Sequence, residues 1–306
     1  MTAKPTTKTK TDNIEISGKN PDKFLIVNGD DFGFSTGVNQ AIIQAHKKGI
    51  LTSTSIMVTG AAFTEAVELA RLHPNLAIGL HLVVGCGKSV LPPQEIPHLV
   101  DDKGNFLEDP LQTGLRYQFN SAARRELPLE IRAQFEKFRA TGLKLSHVDG
   151  HLHHHSHPFI LNTIVNLAAE FGVKVIRLPK EEISFTLASD RRNLLIKIVW
   201  SIVFGALRKY GENLLKSQGI SFADRVYGLL QTGQMTEKYL LDLIPKISAN
   251  VVEIYSHPAI AIAGEPSNAP LGLGQAELDA LLSEKVRQII IDRGFKLTNY
   301  YNSEVI

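Results

Sequence analysis

The 306-residue sequence predicts an α/β protein, a distorted (β/α) TIM-like barrel with about seven parallel strands in a single domain. Three observations lead to this prediction. Short apolar runs alternate with helical segments from residue 23 onwards, a pattern typical of a mostly parallel sheet. About seven such units in a chain of this length favour a barrel over an open sheet. Several acidic and histidine residues directly follow strands, at the end where (β/α) barrels carry their chemistry.

The predicted strands are short apolar runs bounded by turn-forming residues: 23–28, 54–58, 77–84, 143–148, 173–178, 225–230, 251–255 and 296–298. The predicted helices are the amphipathic or apolar segments between them: 38–48, 63–72, 129–140, 159–171, 193–207, 236–244 and 275–292. Residues 85–120 are rich in glycine and proline and lack a clear period. They are predicted to form a long loop, which in a compact domain is often functional.

Composition and charge exclude several classes of protein. The chain has 43% hydrophobic and 21% charged residues, and its net charge of +2, without an arginine-rich block, does not indicate a nucleic-acid partner. No apolar run is long enough to span a bilayer. Residues 1–22 are polar, lack the apolar core of a signal peptide and are predicted to form a disordered tail. The single cysteine, Cys86, cannot form an internal disulfide, which is compatible with a cytoplasmic location.

The segment KLSHVDGHLHHHSHP, residues 144–158, contains six of the 11 histidines. Alternate residues of a strand share a face, so His147, Asp149 and His151 point the same way if the strand extends that far. Imidazole and carboxylate groups together form part of many divalent metal sites. The alternative is a solvated histidine-rich loop with adventitious metal affinity. The remaining histidines of the segment are interpreted as loop or groove residues: His153, His154, His155 and His157.

Other candidates lie at the ends of other strands. Asp30 and Asp31 follow the first strand in the sequence GDDFGFS, His81 lies in the third strand, and His257 follows the strand 251–255. Each has a structural alternative: the aspartate pair could cap the next helix, His81 could be a core residue, and His257 could be a turn residue before proline. Their shared position at strand ends favours a common site over scattered core positions.

Five motifs occur in the order found in the YdjC-like carbohydrate deacetylases: IVNGDDFG, GILTSTSIMV, AIGLHL, HVDGH and YSHPA. Together they cover nearly the whole chain after the tail, and the sequence is similar to that family. The segments LPPQEIPHLVDDKGNF, AQFEKFRATGL and GQMTEKYLLDLIP resemble its HpnK subfamily, which is associated with hopanoid biosynthesis.

The resemblance implies a metal-dependent hydrolase that removes the N-acetyl group from an amino sugar. By position it implies that Asp31, His81 and His151 bind one divalent metal ion, either Mg²⁺ or Zn²⁺. Asp30 is the implied general base and His257 the implied general acid. The residue types suit amide hydrolysis, because three ligands leave open positions on a metal ion, a second carboxylate can take a proton, and histidine can donate one near neutral pH.

Contacts with the substrate are assigned to Arg177, Asp149 and His153, although Arg177 could instead pair with Asp149 or Glu182. The apolar segment NLLIKIVWSIVFGAL, from Asn193 to Leu207, has two interpretations. It could pack on the barrel or in a homo-oligomer, or it could form a lid or interfacial helix that meets a lipid-linked sugar. Basic residues at both ends suit a membrane surface: Arg191, Arg192, Arg208 and Lys209.

The sequence therefore predicts a deacetylase acting on an N-acetylglucosamine unit, with a hopanoid-linked sugar as the substrate that the subfamily resemblance implies. The expected location is the cytoplasm, with peripheral contact at the inner face of the membrane. Two alternatives stay open. One is another metal-dependent amidase or phosphoesterase on the same barrel, and the other is a non-catalytic sugar- or lipid-binding protein.

Overall fold

Strand β1 (Lys23–Phe32) is the central strand of a seven-stranded parallel sheet in the computed structural model, which describes residues 22–183, 185, 194–266, 268, 272–302 and 306. Leu25 to Phe32 are buried, as expected for a strand covered on both faces. Strand β6 (Val251–Ser256) follows one edge of β1. Strand β7 (Phe295–Thr298) pairs with the first half of the other edge, and β2 (Ser53–Ile56) pairs with the second half.

The sheet order is β4-β3-β2-β1-β6-β5, with β3, β4 and β5 spanning Ala77–Leu82, Leu145–Gly150 and Arg225–Tyr227. The predicted strand at 173–178 is present only as isolated bridges. Ile176 of this segment pairs with Val148 of β4 and Val175 pairs with Ser221, while Lys180, two residues beyond it, pairs with Val226 of β5. This segment connects the two outer strands, so the sheet curves into a distorted barrel and the predicted fold class is confirmed.

The helices of the described residues cover the outside of the sheet. In chain order, α1 to α9 span Thr36–Lys48, Phe63–Leu72, Pro110–Phe119, Ser121–Ala140, Pro158–Phe171, Leu194–Ser217, Glu237–Leu243, Leu273–Leu282 and Glu284–Asp292, and short 3₁₀ turns span His151–Ser156 and Ile244–Lys246. Most helices follow a strand and run back along it. The strand carboxyl ends, with the loops that leave them, therefore share one end of the barrel.

The prediction for residues 85–120 is wrong at its end, because α3 lies within the supposed loop. Asp109 caps this helix by accepting a hydrogen bond from the backbone N–H of Gln112, and Pro110 occupies its first turn. Helix α4 also begins earlier than predicted, at Ser121, with Asn120 as its cap. The helix continues through Pro128, which removes one N–H donor without ending it.

Three further boundaries differ from the prediction. The single helix predicted at 275–292 is two helices, because Ser283 leaves helical geometry and caps α9. Strand β5 ends at Tyr227, since Gly228 adopts a φ of +135°. Strand β4 ends at Gly150, so His151 belongs to the following 3₁₀ turn and the proposed shared face of three residues is not formed.

Some predictions concern residues that are not described. The predicted tail falls almost entirely in residues 1–21, and the basic pair Arg191 and Arg192, with Asn193, also lies outside the described ranges. The apolar segment from residue 194 onwards is helical and extends to Ser217 as α6, ten residues beyond the predicted end at residue 207. Within the described residues, none of the helices has the length and apolar character needed to cross a membrane.

Gly79 in β3 provides a test of close packing inside the barrel. The fully buried ring of His147 stacks on Tyr300 with 4.0 Å between ring centroids, and a Cβ added at Gly79 would lie 2.3 Å from the His147 ring. We expect Gly79→Ala to lower the free energy of unfolding by about 1–3 kcal/mol, because the ring has no free space to move into. Urea denaturation measures this loss.

Gly114→Ala is the matched control. Gly114 lies in α3 and has no heavy atom within 4 Å of its added Cβ. Alanine is the better helix former, so we expect this variant to gain up to about 1 kcal/mol. Equal effects of the two substitutions would contradict the packing described at Gly79.

Candidate active site

Three side chains from separate strand ends converge at the carboxyl-terminal end of the barrel. Asp31 lies in β1, His81 in β3, and His151 begins the 3₁₀ turn after β4. Asp31 Oδ1 lies 3.2 Å from His81 Nε2 and 3.2 Å from His151 Nδ1. All three ligand atoms lie within 4.8 Å of one another. The structure therefore brings together the three residues that the sequence predicted as a set.

The backbone of Asp31 turns its carboxylate into this position. Asp31 has a φ of +68°, which is uncommon for a residue with a side chain, and the pairing of β1 with β2 is irregular between Gly29 and Phe32. The second carboxylate oxygen of Asp31 accepts a hydrogen bond of 3.0 Å from the Asn268 side chain. Backbone strain of this kind is frequent at functional sites and here accompanies a fixed carboxylate.

Asp149 orients the ring of His81. His81 Nδ1 lies 2.8 Å from Asp149 Oδ1 and 3.2 Å from Ser55 Oγ, which leaves Nε2 facing Asp31. A carboxylate behind a ligating histidine fixes its ring orientation and raises its basicity as a ligand. Asp149 therefore acts on the site through His81.

The charges around these residues favour a cation. Burial lowers the pKa of His81, but the carboxylates of Asp149 and Asp31 outweigh it and raise the pKa to about 10. Burial raises the pKa of Asp31, but His151 and His81 outweigh it and hold the pKa well below its usual value. Two imidazoles and one carboxylate are also a common donor set for divalent ions. The residues thus fit a divalent metal in both donor type and charge.

Asp30 lies beside this set with its carboxylate firmly held. Arg177 donates to both of its oxygens, at 2.7 and 2.8 Å, and the Asn28 side chain donates to Oδ1 at 2.8 Å. Asp30 is 2% exposed and lines the cavity. It is therefore a carboxylate of fixed orientation next to the candidate metal ligands.

The positions of Arg177 and Asp149 do not support their predicted contact with substrate. Both side chains are fully buried, and neither is among the described residues that line the cavity. Arg177 instead forms ion pairs with Asp149 at 2.8 Å and with Glu253 at 2.6 Å. Of the two pairings considered for Arg177, the one with Asp149 is formed, whereas Glu182 bonds to Arg225 and Tyr227 of β5.

The other histidines of the 144–158 segment have separate roles. His147 lies between β3 and Tyr300, away from the cavity. His154 and His155 are buried, and His155 Nε2 lies 2.9 Å from the Arg177 carbonyl oxygen, so they are not solvated loop residues. His153 lines the cavity, with Nε2 2.7 Å from the Tyr255 hydroxyl.

His257, the predicted general acid, also lines the cavity. It directly follows β6, and its backbone N–H donates a 2.6 Å hydrogen bond to Glu277. Glu277 is buried in α8 and accepts a second hydrogen bond from the Met235 N–H. Sequence reasoning missed Glu277, although a signal was present: it occupies the inward stripe of α8 with Gly274, Leu278 and Leu281.

The cavity has a volume of about 470 Å³ and combines a charged floor with an apolar wall. The candidate metal ligands and Asp30 form the floor. Lys197, Trp200 and Phe204 of α6 form one side, and the loop after β5 contributes Leu229 and Leu230. Such a site can hold a small polar group at its base while an apolar surface covers part of the bound molecule.

A half-buried glutamate anchors the loop after β5. Glu181 accepts hydrogen bonds from the backbone N–H groups of Gly228, Leu229 and Leu230. Neither Glu181 nor Asn268 had a sequence signal, because each acts on a residue far away along the chain. Together with Glu277, Glu181 holds the two ends of a loop that lines the cavity.

Fold and site together define the class of this protein. It is a (β/α) barrel whose strand ends hold one carboxylate and two imidazoles around a common point, with a second carboxylate beside them, inside a partly apolar cavity. Residues 24–292 match the model of the YdjC-like protein family, and the chain belongs to that family. The predicted family is confirmed, and the HpnK subfamily stays a prediction.

Named relatives cover almost the full chain. The protein is 34% identical over 278 residues to a carbohydrate deacetylase of Brevibacillus brevis, which spans 90% of this chain and 98% of the relative. It is 32% identical to a chitooligosaccharide deacetylase of Escherichia fergusonii, and the match covers 91% of this chain and 98% of the relative. A crystal structure from Enterococcus faecalis, described as a cellobiose-phosphate cleavage protein, superposes on this chain with a TM-score of 0.71 at 28% identity. The superposition covers 92% of this chain and 98% of the other.

Glu181 gives the fold a measurable pH dependence. Burial raises its pKa from 4.5 to about 7, outweighing the backbone N–H donors, which lower it. Because the folded state binds this proton more tightly than the unfolded state, the stabilisation is complete below the unfolded pKa and is lost as pH rises through about 7. We expect the free energy of unfolding to fall by about 2 kcal/mol between about pH 5 and pH 8.

Glu181→Gln keeps an oxygen for the loop N–H groups and cannot ionise, so its unfolding free energy should change less over this pH range. Urea denaturation at several pH values compares it with the wild type. Glu284→Gln, at an exposed glutamate, should keep the wild-type change of unfolding free energy with pH. If the unfolding free energy of Glu181→Gln still falls with pH as it does in the wild type, another group causes the pH dependence.

Proposed function

We propose that this protein is a metal-dependent hydrolase that removes the N-acetyl group from an N-acetylglucosamine-type sugar. The observation that carries the proposal is the convergence of Asp31, His81 and His151 beside Asp30, in a cavity that His257 also lines. The names of the relatives, carbohydrate deacetylase and chitooligosaccharide deacetylase, support the reaction and the class of substrate. The metal-ligand set and the catalytic roles are proposals that rest on this geometry.

Hydrolysis of an acetamide needs an attacking water, stabilisation of the carbonyl oxygen as it becomes negative, and a proton for the leaving amine. Asp31, His81 and His151 would hold the divalent ion, Mg²⁺ or Zn²⁺. When bound there, such an ion supplies Lewis acidity to the amide carbonyl and to a water. The two histidines and the carboxylate suit zinc better than magnesium on ligand softness.

The neighbouring side chains account for the proton transfers. Asp30 accepts the proton of the attacking water, and the two hydrogen bonds from Arg177 fix its direction. His257 donates a proton to the leaving amine, and Glu277 holds the backbone of this residue in place. His153, hydrogen-bonded to Tyr255 at the cavity wall, is proposed to contact the sugar.

We further propose that the sugar is attached to a lipid, with an N-acetylglucosaminyl hopanoid as the substrate that the HpnK resemblance implies. Trp200, Phe204 and Leu230 support this, because they give the cavity an apolar side that a free sugar does not need. Contact of the 193–207 segment with the inner face of the membrane, from the cytoplasm, belongs to the same proposal.

Removal of one metal ligand tests the proposed centre. We expect Asp31→Asn, His81→Ala and His151→Ala each to lower the affinity for zinc by about 100-fold or more and to abolish acetate release from a chitooligosaccharide, because two ligands hold an ion weakly. Metal content after dialysis and an acetate assay measure the two effects.

His46→Ala, at a histidine in the last turn of α1, should bind metal and release acetate as the wild type does. The same assays run on phosphorylated sugars separate a deacetylase, which releases acetate, from a phosphoesterase, which releases phosphate. Full acetate release by metal-stripped protein would rule out a metal-dependent reaction.

Asp30→Asn tests the proposed base separately from metal binding. We expect kcat for acetate release to fall by about 10²–10⁴-fold with metal content unchanged, because the amide cannot accept the proton. Glu253→Gln is the matched control, since Glu253 also bonds to Arg177 but is not among the described residues lining the cavity. It should alter stability and keep kcat. Equal loss of kcat in both variants would mean that Asp30 acts only by balancing the charge of Arg177.

A further inference from the structure

Helix α3 presents an apolar stripe to solvent. Leu111, Leu115 and Phe119 are spaced by one turn each and are between 49% and 78% exposed, whereas Thr113 and Tyr117 face the protein. The exposed side of a helix on a globular protein is normally polar. Three large apolar residues in a row there indicate a surface that meets something other than water.

Helix α6 carries a second stripe of this kind. Leu195, Val199 and Ile202 follow the helical spacing of four and three residues, and all are exposed, as is Val203 beside them. The inward residues of the same helix include Phe204, which lines the cavity and packs against Trp200. One face of α6 thus covers the candidate active site, and another face is apolar and unpaired within the described part of the chain.

Both stripes lie on helices that border the cavity. Both helices contact the 3₁₀ turn His151–Ser156, which begins with a candidate metal ligand. The cavity is lined by Pro110 from the start of α3, by Leu152 from the turn and by Trp200 from α6. Leu152 and Trp200 both line the cavity and are 43% and 40% exposed, so they extend its apolar wall to the protein surface.

The charges next to the stripes are positive on balance. Arg116 is the only charged residue in α3, and Arg124 and Arg125 follow at the start of α4, whereas the exposed Glu108 and Asp109 precede α3. In α6 the buried Arg208 pairs with Glu212, the single acidic residue of the helix, and the other three charged residues are lysines. An anionic lipid surface complements an apolar stripe with basic neighbours. A second copy of the chain would instead bring like charges together.

We propose that this mouth surface, consisting of the α3 stripe (Leu111, Leu115, Phe119), Leu152 and the α6 stripe (Leu195, Val199, Ile202), docks on an anionic lipid bilayer. The bilayer then lies against the opening of the cavity. A sugar attached to a membrane lipid then reaches the cavity without leaving the bilayer surface. This delivery of substrate rests on the proposed function. Docking itself depends only on the surface.

Co-sedimentation of the full-length protein with vesicles tests the docking. The vesicles are made of phosphatidylcholine alone or mixed with phosphatidylglycerol. We expect binding to the mixed vesicles, weakened by salt, and at least about tenfold weaker binding for Leu115→Gln/Phe119→Gln and for Val199→Gln/Ile202→Gln, because each pair loses two inserted apolar side chains.

Leu72→Gln is the matched control. Leu72 is equally exposed, but it ends α2 just before β3 begins, at the barrel end opposite the mouth. It should bind vesicles as the wild type does. Thermal unfolding confirms that each variant is folded. Absence of wild-type binding, or equal binding by all variants, would overturn the proposal.

Two further measurements separate the alternatives. If sedimentation velocity shows a dimer that the stripe substitutions dissociate, the surface is a self-interface and the bilayer proposal fails. The stripe variants should release acetate from soluble diacetylchitobiose at the wild-type rate, since none of the substituted residues lines the cavity. A wild type that binds vesicles but releases no acetate from any N-acetylated sugar would refute the proposed function and leave the docking surface standing.

Discussion

The ion cluster around Arg177 is the interaction on which the rest of the site depends. Its guanidinium group is fully buried and pairs with Asp30, Asp149 and Glu253, while its face lies 4.6 Å from the ring centroid of Tyr255. An isolated buried charge costs several kcal/mol, so the arginine and its three carboxylate partners depend on one another for their stability inside the barrel. Burial lowers the pKa of Arg177, but the surrounding carboxylates outweigh it and keep the group charged.

This cluster connects the proposed base with the proposed metal centre. Arg177 fixes Asp30 directly, and it also holds Asp149, which in turn orients His81. The Arg177 guanidinium group therefore sets the geometry of both the proposed base and the proposed metal centre. It reaches them from the irregular segment that closes the barrel between β4 and β5. The segment that closes the barrel therefore also carries the side chain that organises the site.

The cavity wall is built differently from its floor. The floor residues lie on or next to strands, whose pairing fixes them closely, whereas the loops after β5 and β6 are held by the carboxylates of Glu181 and Glu277. The apolar side chains of α6 complete the wall. A charged floor beneath an apolar wall and an apolar mouth suits a substrate that is polar where it reacts and apolar beyond that point.

The sequence by itself determined the alternation of strands and helices and the shared strand-end position of the candidate residues, because these follow from local periodicity and from the rule that parallel strands share their carboxyl ends. Its ordered motifs indicated the family, and the resemblance to that family singled out Asp31, His81 and His151 as a set. Only the tertiary structure decided what lies behind those ligands. Pairing between Arg177 and Asp30 joins residues 147 positions apart, and no local pattern specifies such a partner. For the same reason the packing of His147 against Tyr300 and the exposed stripe of α3 became visible only in the folded chain, since burial depends on what surrounds a residue in space.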